Sequence, residues 1–180
     1  MGIRFQNKKL IILPVLLLFF IIAIFITGMI LKYTKTKSFP VDINQDGNMD
    51  SVIFKQNKVS VILDDEVVWQ SDKSWKIDDF IVGDINHDSK PELLILLWKK
   101  GSFGEHVPFW EEKETDTELT QHLFIYQWQD SSINSIWMSS KLQPEIKSFD
   151  MLDDGKIHII TKSNEDTVWM WSDFGLVRCK

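Results

Sequence analysis

Two segments of this chain follow one pattern: Asp42-Ile43-Asn44-Gln45-Asp46-Gly47-Asn48-Met49-Asp50 and Asp84-Ile85-Asn86-His87-Asp88-Ser89-Lys90-Pro91-Glu92. Each places oxygen-bearing side chains at positions one, three, five and nine, and each leads into a Val/Ile/Leu-rich run. The two start 42 residues apart, close to the period of about 40 to 50 residues at which β-propeller blades repeat. The spacing therefore predicts one supersecondary unit built more than once. The chemistry predicts a hard cation, because Ca²⁺ takes six to eight oxygens at ~2.3 to 2.6 Å and alternating Asp/Asn side chains around a tight turn supply them.

Short runs with polar breaks fill the rest of the chain. Ser51 to Gln56, Val59 to Leu63 and Glu66 to Gln70 are separated by the two-residue gaps Asn57-Lys58 and Asp64-Asp65, which read as β-hairpin turns. Phe80 to Gly83, Glu92 to Trp98, His122 to Trp128 and Ile133 to Met138 continue the pattern, and no stretch after residue 39 keeps a helical period. A third loop, Phe149-Asp150-Met151-Leu152-Asp153-Asp154-Gly155-Lys156, aligns by its Asp-Gly and puts Asp150 at position one, 66 residues beyond Asp84. The excess over 42 matches an insertion at 99–121, where Gly, Pro and acidic residues replace the strand pattern. Three blade-like units result, one decorated and one short at the C-terminus.

Ahead of this domain, Leu10 to Leu31 is 22 residues without a charge, enough for a membrane helix, which needs about 20. It is longer than the ~7 to 15 apolar residues of a secretory signal and lacks a small-x-small cleavage site. It reads as an uncleaved signal anchor after a short basic segment, 1–9, and before a linker, 32–39. Three cations precede it (Arg4, Lys8, Lys9) and three follow (Lys32, Lys35, Lys37), so loop charge leaves the orientation tied. The free amino terminus tips it towards N-inside. Calcium agrees, since weak calcium modules fill only where the ion is abundant, outside the cell. Residues 40–180 are therefore expected to be extracytoplasmic, on a single-pass anchor in the cell membrane.

From residue 39 onward the chain holds 14 basic and 26 acidic side chains, a net charge of −12. That excludes nucleic acid as a ligand, because phosphate recognition needs Lys/Arg clusters. Cys179 is the single cysteine, so no internal disulfide or thiolate cluster holds the domain. All eight tryptophans lie in it. The histidines make no H-E-x-x-H pair, and there is no G-x-S-x-G elbow, Walker loop or C-x-x-C pair. Catalysis is not expected.

An oxygen-rich loop followed by a hydrophobic strand resembles the FG-GAP/VCBS repeats, the calcium-loop blades of integrin α-chain propellers and many bacterial surface proteins. The resemblance covers most of residues 40–160. It implies a propeller-like antiparallel β-repeat domain; with the hydrophobic run and the loop spacing, the expected fold is all-β, a transmembrane helix followed by a small domain of about three blade-like units. By the family pattern the first Ca²⁺ would take the side chains of Asp42, Asn44, Asp46 and Asp50 with the carbonyl of Asn48, and Gly47 would make the sharp turn at position six. The second would take Asp84, Asn86, Asp88 and Glu92 with the carbonyl of Lys90, although Ser89 stands where glycine is expected. The third loop carries Leu152 and His158 at positions three and nine and reads as a bare turn. An EF-hand is rejected, because position twelve of the first loop is Ile53 within a strand pattern.

A partner is expected at the insertion, where Phe103, His106, Phe109 and Trp110 gather; aromatics are enriched at binding hot spots. The alternative is that these rings fold back as a cap. Three functions follow from the sequence. The first is a membrane-tethered calcium-binding module that recognises a protein or a cell-envelope polymer. The second is an accessory subunit of an envelope complex, as a homo-oligomer or with another chain. The third is a hydrolase of a surface polymer, which needs two converging carboxylates outside the calcium loops.

Overall fold

A computed structural model describes residues 17–25, 36–104 and 116–180. Residues 17–25 form an exposed helix, about 14 Å long at 1.5 Å per residue against a hydrocarbon core of about 30 Å. Among the described residues no helix is long and apolar enough to cross a membrane. The rest of the expected span, 10–31, lies outside the described residues.

The chain divides into two compact units after Thr36. In the second, Lys37–Lys180, the described residues form twelve strands and no helix. They are β1 (Lys37–Val41), β2 (Asp50–Lys55), β3 (Lys58–Leu63), β4 (Glu66–Gln70), β5 (Lys76–Gly83), β6 (Glu92–Lys100), β7 (Leu119–Gln129), β8 (Ser132–Met138), β9 (Ile146–Met151), β10 (Ile157–Thr161), β11 (Asp166–Ser172) and β12 (Gly175–Arg178). They make three four-stranded sheets, β1 to β4, β5 to β8 and β9 to β12, each pairing its strands antiparallel in sequence order.

Local chemistry sets the tight turns. Gln56-Asn57, Asp64-Asp65 and Asp130-Ser131 hold positive φ at both residues, between 48° and 66°, as two-residue type I′ hairpins require. The first turn lies one residue earlier than the expected Asn57-Lys58. Asn57 has a second use: its Nδ2 donates to Trp75 O at 2.7 Å and its Oδ1 accepts from Ile77 N at 2.9 Å, tying the first sheet to the start of the second.

Three differences from expectation have physical causes. The domain starts at Lys37 rather than 40, because β1 pairs with β2 and takes three residues of the expected linker. The C-terminal unit, expected to be short, has four strands like the others, with Val168-Trp169-Met170-Trp171 inside β11. The insertion shrinks to 101–118, since β6 and β7 pair as far as Lys100↔Leu119.

Sheet two is the middle layer. Along β6, Leu93, Ile95 and Leu97 enter a core with the first sheet, while Leu94 and Leu96 enter a second core with the third. On β7, Phe124 and Tyr126 take the first side and Leu123 and Ile125 the second. Side chains alternate faces at every residue, so a strand covered on both faces has to be apolar without interruption, as Leu93 to Leu97 is. Gln121, itself buried, clasps the third sheet: its Oε1 accepts from Ile146 N at 2.6 Å and its Nε2 donates to Ile146 O at 3.0 Å.

Candidate metal centre

Each Asp loop joins the first strand of its sheet to the second: 42–49 links β1 to β2, and 84–91 links β5 to β6. The two share one hydrogen-bonding scheme. Position one accepts from the amide of position six (Gly47 N to Asp42 Oδ2, 3.0 Å; Ser89 N to Asp84 Oδ2, 3.0 Å). Position three accepts from the amide of position five (Asp46 N to Asn44 Oδ1, 3.1 Å; Asp88 N to Asn86 Oδ1, 2.9 Å). Position five accepts from position seven (Asn48 N to Asp46 Oδ1 and Lys90 N to Asp88 Oδ1, both 2.8 Å). Position nine accepts from position two (Ile43 N to Asp50 Oδ2, 3.1 Å; Ile85 N to Glu92 Oε2, 2.8 Å). The backbone folds identically as well, with positive φ at positions four and six: Gln45 61° and Gly47 92°, His87 62° and Ser89 67°. Ser89 thus occupies the left-handed region that glycine enters at less cost.

The loops differ in where their carboxylates go. In the second, Asp84, Asp88 and Glu92 each bring an oxygen within 4.8 Å of the other two. Asp84 Oδ1 is buried and has no hydrogen-bond partner. In the first, both Asp42 oxygens are taken, by the amides of Asp46 and Gly47, and Asn44 Nδ2 donates to Asp46 Oδ2 at 2.9 Å.

Gln127 is a residue the sequence reading missed. Glu92 and Gln127 are register partners across β6 and β7, and Gln127 Nε2 donates to Glu92 Oε1 at 2.5 Å and to Asp88 Oδ2 at 2.8 Å. In the first sheet the ladder between β2 and β3 runs from Ser51↔Ile62 to Lys55↔Lys58, one residue short of Asp50. Titration follows this geometry. Burial pushes the Glu92 carboxyl up to about 7, against the Ile85 amide and Gln127, and Asp88 and Asp84 add repulsion. Asp88 is also raised by burial, but hydrogen bonds from Gln127 and the Lys90 amide outweigh that and leave it below the usual range. Asp50 is raised by burial against the Ile43 amide, and Asp46 is lowered by the Asn48 amide and by Asn44.

The three connections of this type lie side by side. Gln45 Nε2 donates to Ser89 O at 2.5 Å, linking the first loop to the second. At Gly155, φ +74°, an added Cβ would come within 2.8 Å of both Asp84 O and His87 Cε1, so the third turn presses on the second loop. That third connection is a tight hairpin turn, with Asp150 paired opposite His158 in the ladder. Of the expected partner-binding residues, Phe103 is half-buried and its carbonyl accepts from Lys99 Nζ at 2.6 Å. His106, Phe109 and Trp110 lie outside the described residues.

No protein-family model matches this chain, nor does any curated protein or solved structure.

Proposed function

We propose that the chain is a membrane-tethered, extracytoplasmic β-repeat module of the FG-GAP/VCBS type that binds Ca²⁺ in its Asp loops and recognises a protein or a cell-envelope polymer. One observation carries the metal reading: Asp84, Asp88 and Glu92 each bring an oxygen within 4.8 Å of the other two, and one oxygen of Asp84 is buried and accepts no hydrogen bond. An unpaired buried acceptor costs about 1 to 3 kcal/mol, more when charged. A cation at this point would remove that cost, and an all-oxygen donor set suits a hard one. The shared loop scheme extends the reading to Asp42, Asn44, Asp46 and Asp50. Sequential four-stranded meanders with neighbouring loops are what a blade-like repeat requires. Support for the anchor comes from residues 17–25, which are apolar without exception and exposed, a composition suited to lipid rather than water.

Calcium has a measurable consequence. At free Ca²⁺ ten times the dissociation constant, one site stabilises the fold by roughly 1.4 kcal/mol, a rise of a few degrees in Tm. The full chain in detergent, melted with calcium and with chelator, is expected to show that rise. Asp88→Ala should remove the second loop's share and Asp46→Ala the first loop's. Identical melts of the native chain under both conditions refute the metal reading.

Orientation is tested at Cys179, which is half-buried. A membrane-impermeant maleimide applied to whole cells is expected to label it, with a denaturing step to expose any thiol shielded by packing. Labelling only after lysis reverses the topology.

A second reading, an accessory subunit completed by another chain, draws on the sheet edges. Val67 and Val68 on β4 and Val177 on β12 are 58%, 45% and 43% exposed, on strands with one unpaired side. Unpaired apolar edges invite a further strand.

A further inference from the structure

Between the middle and C-terminal sheets lies a cavity of about 460 Å³, within the ~300 to 1,000 Å³ of small-molecule sites. No residue of the Asp loops lines it, so it is independent of the metal reading. Its walls are mainly hydrocarbon. Trp137 on β8 and Trp169 on β11 are both half-buried, and Leu142 on the segment between β8 and β9 closes one side. Trp169 Nε1 already donates to Thr167 Oγ1 at 2.9 Å, so a guest meets its apolar body without breaking a hydrogen bond.

The lining charges have a sign. Lys141, Arg178 and Glu165 line the cavity, two cations and one anion on a chain whose net charge from residue 39 onward is −12. Arg178 Nη1 stands 3.8 Å from Glu165 Oε2, and Lys141 Nζ 3.8 Å from Glu118 Oε2. Both distances exceed hydrogen-bond length. The guanidinium, with five donors, and the ammonium, with three, make no hydrogen bond among the described residues.

We propose that this cavity binds a small apolar carboxylate: a hydrocarbon body of ring or short-chain size seated between Trp137 and Trp169, its charged end held by Arg178 and Lys141. Apolar walls supply the burial that favours the body, and the two cations select the sign of the head. A neutral or cationic analogue fills the same walls and loses the second contribution.

The test uses the full chain in detergent, with protein-free micelles as the reference for partitioning. Fluorine NMR follows the titration of para-trifluoromethyl-phenylacetate and of its cationic counterpart, para-trifluoromethyl-benzylamine. The acid is expected to bind about tenfold more tightly than the amine, the size that two half-exposed charge pairs supply. Replacing Arg178→Glu together with Lys141→Glu should abolish or reverse that preference. Leu142→Trp should weaken both probes at least tenfold by filling the space, with circular dichroism confirming the fold. If Leu142→Trp fails to fold, the charge-reversed chain carries the test, since both of its positions are surface-exposed. Equal affinity of the native chain for the two probes, no saturable binding of either, or a preference unchanged by the charge reversal each overturns the proposal.

Discussion

Ile95→Ala is expected to lower stability by about 3 kcal/mol, within the range for removing a buried Ile side chain, and to lower Tm by roughly 10 °C for a domain of this size. Ile95 is fully buried at the centre of β6 and enters the core between the first two sheets. Its neighbour Leu94, equally buried, enters the core between the second and third. Leu94→Ala should therefore cost a similar amount although it touches a different sheet. Val67→Ala provides the contrast: the same kind of truncation on a strand, at a position 58% exposed, should stay within about 0.5 kcal/mol. Urea or thermal unfolding of the full chain, followed by far-UV circular dichroism, measures all three. If Leu94→Ala costs no more than Val67→Ala while Ile95→Ala does, the third sheet is not packed on the second, and the layered arrangement is wrong.

The repeat was legible in the sequence because it is local. Asp42 to Asp50 and Asp84 to Glu92 write the same loop twice, and their side chains bond amides no more than seven residues away. The interior strands of the first two sheets, β2, β3, β6 and β7, were legible by apolar runs, with ends misplaced by a few residues, whereas β10 and β11 of the third sheet were not read as strands. β1 was not, because Lys37-Ser38-Phe39-Pro40-Val41 has no apolar alternation and carries a proline. Pro40 is tolerated since β1 lies at an edge of its sheet. Nor could the apolar run Leu93 to Leu97 disclose what covers its two faces, because that depends on sheets formed by residues far along the chain. Gln127 was invisible for the same reason. It meets Glu92 through a hairpin register spanning 35 residues, and the length of the connection hides that register. The cavity lining, drawn from all the strands β7 to β12 and from the segment between β8 and β9, has no sequence signature.

Glu92 should make the metal-free chain less stable as pH rises towards neutrality, opposite to the behaviour of a salt-bridged carboxylate. Its side chain is fully buried, and burial lifts its carboxyl from 4.5 to about 7. The folded chain thus binds this proton more tightly than the unfolded one. The resulting stability is complete below the unfolded value and is lost as pH rises through about 7, a change of roughly 3 kcal/mol. His122 acts in the other direction below its ordinary value of 6.5, since burial lowers it and its protonation on acidification opposes folding. The comparison that isolates Glu92 is therefore native chain against Glu92→Gln, in chelator, from pH 5 to 8. Native Tm should fall relative to the variant by roughly 10 °C across that window. Calcium adds a further condition, because bound metal requires ionised carboxylates. Saturating Ca²⁺ should flatten the native profile above pH 6 and leave Glu92→Gln, which lacks one anionic ligand, much less affected. Parallel profiles for the native chain and Glu92→Gln in chelator would show that Glu92 is solvated and ionised at all these pH values. The stabilisation by Ca²⁺ would then lose its dependence on pH above pH 6, because Glu92 would have no proton to release to the ion.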